Sequence, residues 1–199
     1  MVLRLGDRDY DLAGRFLVLA TDPAAAADGA DIVEVGAGDV AEALRAYGTA
    51  LPVAALVRRA DDVAAAHEAG AVAIVDPAGL ADVATMRAAA GTGVAVIALF
   101  DVELDATALV ERARAAEASG LPPRSILLSP ALPAAEGMLA AVRRLAVLGY
   151  PLVYSTVDHP TPAAVATAVT GGCRVVRTAA VRPARRTCDV LAAVLGDGR

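Results

Sequence analysis

Glu34, Arg58, Asp76 and Arg177 each stand at or beside the end of a short aliphatic run, in DIVEV, PVAALVR, VAIVD and RVVRT. A carboxylate in such a place pairs with a cation or with the donor edge of a heterocycle. A guanidinium there takes an anion through two parallel N–H groups. Ser129 closes SILLS, and Asp158 and His159 follow PLVYST. An aspartate beside a histidine can begin a general-base arrangement, but catalysis of that kind also needs a nucleophile in reach, and this sequence marks none. Asp22, Asp101, Thr156 and Thr178 complete the polar set at strand ends.

Each of these residues also has a plainer role. Asp76, ahead of PAGL, suits a helix-start cap, and Glu34 suits the backbone donors at the end of a strand. Arg58 and Arg177 either hold an anion together or pair with Glu34 or Asp76. Gly36 and Gly38 in VGAGD form a GxG, which alone is too common to mark phosphate binding. His67 reads as a surface residue, and Arg182, Arg185 and Arg186 as the solvated start of the last helix.

Strands must deliver these groups. Eight runs read as strands, at 16–20, 31–35, 52–57, 72–75, 94–100, 125–129, 151–156 and 174–178. Their near-continuous hydrophobicity fits a parallel sheet buried on both faces. Helical stretches lie between them, including ADDVAAAHEAG, with Asp61 and Asp62 in its first turn and Gly70 as a stop. DATALVERARAAEASG is amphipathic, with Leu109, Ala113 and Ala116 at helical spacing. DPAAAADGA reads as a first helix of only two turns. At the N-terminus VLRL and YDL flank GDRD as a hairpin. The pattern predicts an α/β fold, a compact (β/α)8 barrel forming one domain over 1–199, with the hairpin in 1–15 capping it. An open doubly wound sheet is the structural alternative.

Composition narrows the function. The 199 residues are 57% hydrophobic and only 3% aromatic, and the formal net charge is −5. No concentrated basic stripe is present, so a nucleic-acid surface is not expected. Cys173 and Cys188 lack any CxxC or Cys/His spacing, which argues against a metal and for buried free thiols in a reducing compartment. MVLRLGDRDYDL alternates apolar and charged residues, unlike a signal peptide. No uninterrupted apolar run reaches membrane-span length. The expectation is a cytoplasmic protein with no membrane contact.

With its elements placed, the chain resembles the dihydropteroate synthase family of pterin-binding barrels. LRLGDRDYDL is similar to the family's N-terminal hairpin, and DGADIVEVGAG resembles GADIVDVGGES on its second strand. AAAHEAGAVAIVDPAGL resembles ARAALAAGADIVNDVSGL, and AEASGLPPRSILLSPAL resembles AEAAGVPPERIVLDPGLGFGK. RRLAVLGYPLVYST is similar to RLDELGYPVLVGTSRK, and GGCRVVRTAAV to GADIVRVHDV. The likeness runs in order from Val2 to about Leu195.

The resemblance implies a reaction joining a pterin that carries a diphosphate leaving group to p-aminobenzoate. It also shows what this chain lacks. The first-strand loop with its Asn and Pro-Asp-Ser-Phe has no counterpart. Leu56 stands where the carboxylate of Ser-Val-Asp-Thr belongs. Asn-Asp becomes Val75-Asp76, Asp-Pro-Gly becomes Ser129-Pro130-Ala131, and the following Gly-Phe-Gly-Lys is gone. Ser-Arg-Lys becomes Val157-Asp158-His159, and Arg-Val-His-Asp keeps only Arg177. A departing diphosphate needs cations and aligned N–H donors, and a pterin edge needs buried polar partners.

The expected function is therefore a degenerate, non-catalytic homologue that binds a pterin-like molecule or another anion, or acts as an accessory subunit. Its ligand contacts would be Glu34, Arg58, Asp76, Ser129, Asp158 and Arg177, with no confident catalytic residue. Mg²⁺ is expected only if the diphosphate chemistry survives. The implied protein partners are a second copy, through the low-charge segment 160–171, or an intact synthase. The alternative is a divergent active synthase or pterin-dependent transferase of folate metabolism.

Overall fold

The computed structural model describes residues 1–100, 105–132, 135–156 and 161–196. Parallel strands β3 (Leu17–Ala20), β4 (Ile32–Gly36), β5 (Val53–Leu56), β6 (Ala73–Asp76), β7 (Ala95–Leu99), β8 (Ile126–Ser129), β9 (Val153–Ser155) and β10 (Val175–Thr178) form one sheet. Its order is β8-β7-β6-β5-β4-β3-β10-β9. The ends meet through a parallel bridge between Leu128 and Leu152, where the Leu128 N–H donates to the Pro151 carbonyl at 3.0 Å. The sheet is thus an eight-stranded barrel, with all eight strands where the sequence places them.

Alternation along each strand builds two apolar layers. Leu17, Leu19, Ile32, Ala54, Ala73, Val75, Ile97, Leu127, Val153 and Val175 fill the interior. Val18, Val33, Val53, Ala55, Ile74, Val96, Ile126, Leu128 and Val176 lie in a second cluster under the helices. Strands buried on both faces need apolar residues at every position, which is why the runs are continuous.

The helices are α1 (Val40–Tyr47), α2 (Ala60–Glu68), α3 (Val83–Thr92), α4 (Ala106–Ala118), α5 (Ala135–Ala146), α6 (Pro162–Gly171) and α7 (Val181–Gly196). Leu109, Ala113 and Ala116 of α4 are all buried, as their spacing predicts, and Asp105 caps its first turn by accepting from the Ala108 N–H. Asp61 and Asp62 lie in the first turn of α2, and Gly70 follows it at φ +103°. The sequence reading names no helix between strands β4 and β5, yet α1 is there. Its signal is Val40, Ala43, Leu44 and Tyr47 at helical spacing, with Val40 and Ala43 buried.

Three further expectations are corrected. DPAAAADGA is a 3₁₀ helix, Pro23–Asp28, capped by Asp22 and stopped by Gly29 at φ +109°. So short a segment cannot offset the cost of nucleating an α-helix, despite its alanines. The hairpin of β1 (Val2–Leu5) and β2 (Arg8–Asp11) turns on Gly6 and Asp7 alone, because Leu5 pairs directly with Arg8. Gly6 has φ +58°, and a Cβ there would stand 3.0 Å from Val72. Leu3 and Leu5, with Leu12, pack into the interior cluster.

The third concerns the last helix. Two of its arginines are not simply solvated. Arg182, though exposed, pairs with Asp28 at 2.6 Å, and the largely buried Arg185 pairs with Asp31 at 2.9 Å and Asp189 at 2.8 Å. Asp28 and Asp31, on the crossover between β3 and β4, lie opposite the start of α7 and draw both arginines in. Arg186 is exposed, as the sequence reading expects.

Packing of α6 between α5 and α7 buries Val165, Ala168, Val169 and Gly171. Helices α5 and α6 approach closely, since a Cβ on Gly171 would meet Val142 at 2.9 Å and one on Gly172 would meet Ala146 at 2.7 Å.

Candidate functional site

The C-terminal ends of the barrel strands carry one buried charged contact among the described residues. Glu34 shares the inward phase of Ile32 on β4, and Arg177 shares that of Val175 on β10, with β3 between them. Arg177 Nε donates to Glu34 Oε2 at 2.7 Å and Nη2 to Oε1 at 2.6 Å. A third donor, Nη1, reaches Ser155 Oγ at 3.1 Å. The Arg177 and Glu34 side chains are 13% and 8% exposed. This fork engages both oxygens of the carboxylate along one edge of the guanidinium, the strongest geometry an arginine offers.

Of the residues expected to bind a ligand, Glu34 and Arg177 are the two brought together. Asp76 is elsewhere. It continues the outward phase of Ile74, and its Oδ1 accepts from Ala78 N–H at 2.9 Å and its Oδ2 from Leu80 N–H at 2.8 Å. The loop it organises contains Gly79 at φ +60° and Leu80 at φ +64°. A left-handed non-glycine costs energy and persists only where the surroundings hold it. Arg112 adds to that hold by donating to the Gly79 carbonyl at 3.1 Å while lying over the Phe100 ring. Asp76 is thus the cap of a tight loop, as its plainer reading has it.

Arg58 is exposed on the segment after β5. Ser129 is buried, 4% exposed, on the inward phase of Leu127. Thr178 accepts from the Ala180 N–H, and Thr156 donates its backbone N–H to the Arg177 carbonyl at 2.8 Å. Asp101, Asp158 and His159 lie outside the described residues. His67 is exposed, as expected.

Sequence reasoning missed Ser155, whose phase with Val153 on β9 would have marked it. It also missed a cleft of about 480 Å³ between the first crossover, the segment after β4 and α1. Glu34, Asp39 and Glu42 give it carboxylates, Leu56 and Ala43 an apolar wall. The Tyr47 hydroxyl donates to the Pro23 carbonyl, tying α1 to the crossover.

Leu56 and Val75 carry the aliphatic interior up to the mouth. Val75 belongs to the inner cluster and Leu56 packs against it. Both cysteines are buried and free. Burial pushes the Cys173 thiol up to about 12 and the Cys188 thiol up to about 11, so neither is poised as a nucleophile. Among the described residues no group of three or more His, Cys, Asp or Glu side chains is placed to hold a metal. Nor is any described helix long and apolar enough to cross a membrane.

A closed parallel barrel whose inward polar residues meet at the C-terminal strand ends defines the (β/α)8 class, with its site on that face. No family model matches the sequence, and no curated protein does. Solved structures do match. Dihydropteroate synthase from Thermus thermophilus in complex with 4-aminobenzoate has 25% identity and TM-score 0.81 over 98% of this chain and 100% of that one. The same organism's enzyme in complex with 6HMPPP has 27% identity and TM-score 0.78 over the same shares. Dihydropteroate synthase from Stenotrophomonas maltophilia has 22% identity and TM-score 0.82 over 100% and 99%. Along its whole length the chain shares the fold of the dihydropteroate synthases.

Proposed function

We propose that this barrel has lost the condensation of a pterin diphosphate with p-aminobenzoate and retains its mouth as a binding site for a different small molecule. The observation that carries the reading is the Glu34–Arg177 fork. The one strand-end cation that the family resemblance retains is spent on a carboxylate of the same chain and is not available to a leaving group. Leu56 and Val75 support the reading, because aliphatic groups at those positions offer a pterin edge nothing to pair with. Two lost charge-assisted hydrogen bonds, at about 1.5–3 kcal/mol each, amount to roughly 3–6 kcal/mol, or about two to four orders of magnitude in affinity.

Calorimetric titration with 7,8-dihydropterin pyrophosphate and Mg²⁺ tests this. The expected result is no heat of binding in the micromolar range from folded protein. Micromolar binding followed by turnover with p-aminobenzoate would overturn the proposal and establish a divergent synthase.

A further inference from the structure

We infer that Glu34 is a selectivity residue: by holding the Nε–Nη2 edge of the Arg177 guanidinium, while Ser155 takes Nη1, it sets the barrel mouth against anions, so that the ligand taken there is neutral or cationic. The inference rests on reading the mouth as the binding site, and it names the class of ligand.

Two devices near the mouth are of the kind that ordinarily receive an anion. One is the Arg177 guanidinium, which would offer a carboxylate or phosphate a two-pronged contact. The other is the loop after β6, where the N–H groups of Ala78 and Leu80 converge as in a backbone nest. Each is already filled by an acid of the chain. Glu34 takes Nε and Nη2 of Arg177 at 2.7 and 2.6 Å, and Asp76 takes the two N–H groups at 2.9 and 2.8 Å.

An incoming anion would have to displace a carboxylate that cannot leave, because Glu34 is anchored in β4 and only 7% exposed. Displaced, it would remain beside the newcomer as a like charge. Asp39 and Glu42 on the adjoining cleft add to that repulsion. The same carboxylates favour an amine or a heterocycle rich in donors, which the apolar wall of Leu56 and Ala43 would also accept.

Inorganic pyrophosphate, free of any organic part, is the probe. Wild-type protein, Glu34→Gln, Glu34→Ala and the double variant E34Q/R177M are titrated with it at low ionic strength, with far-UV circular dichroism confirming the fold. Removing the carboxylate is expected to raise pyrophosphate affinity at least about tenfold over wild type in the folded single variants, and R177M is expected to abolish the gain. Gain in either single variant, lost in the double, supports the assignment. Wild-type affinity equal to that of the variants, or no gain in a folded single variant, overturns it. That failure is separate from failure of the proposed function, which is read from the pterin compound and its turnover on unmutated protein.

Discussion

Removing the cation of the buried fork should cost far more than removing both partners. In Arg177→Met the Glu34 carboxylate, 8% exposed, loses both guanidinium contacts and keeps its burial. Breaking a buried pair by deleting one partner costs about 3–5 kcal/mol, whereas exchanging both for apolar groups is close to neutral. At about 2–4 °C per kcal/mol for a chain of this size, R177M should melt roughly 6–20 °C below wild type. The double variant E34L/R177M should return to within about 2 kcal/mol of wild type. The chain contains no tryptophan, so urea unfolding is best followed by far-UV circular dichroism, with the midpoint and slope fitted for all four members of the cycle. A loss below about 1 kcal/mol for R177M would refute the reasoning, since water would then be stabilising the carboxylate in place of the arginine.

Two other outcomes follow from contacts away from the fork. Asp76→Ala strips the acceptors from the Ala78 and Leu80 N–H groups and releases Leu80 from φ +64°; it should cost about 2–3 kcal/mol by urea unfolding, and Asp76→Asn, which keeps one acceptor, less. Burial, then the hydrogen bond to Glu117, pushes the Tyr150 hydroxyl from 10.0 up to about 12. The folded state therefore keeps that proton longer than the unfolded chain does, so the stabilisation is whole below pH 10 and drains away as pH rises toward 12. Thermal melts across that window should fall more steeply for wild type than for Tyr150→Phe.

The barrel was legible because strands covered on both faces leave unbroken aliphatic runs, and helices such as α4 announce themselves by spacing and by a capping aspartate. The same property hid the orientation of the site. In VAIVD every strand position before Asp76 is apolar, so nothing in the sequence says whether Ile74 or Val75 faces inward, and hence whether Asp76 faces the mouth. Glu34 and Arg177 could be named as candidates, with pairing among the options. Their meeting, across 143 residues of sequence, depends on β10 closing against β3, a contact set by barrel closure and by no local signal. Helix α1 went unnamed although its spacing was visible, because a short helix beside glycines and a GxG reads first as loop.

Closure of the ring has a mechanical consequence. Seven of its junctions are ladders of parallel pairing, but among the described residues the backbone pairing between β8 and β9 is the single bridge at Leu128 and Leu152. The barrel is a hoop with one clasp, and the clasp is held from outside, where Gly171 and Gly172 let α6 close on α5. Loosening that helix pair would unroll the hoop into a sheet with two bare edges, and bare edges recruit strands from other molecules. The close approach at Gly171 and Gly172 thus guards the junction where the ring is joined most thinly, beside the strands that also carry Ser155 and Arg177.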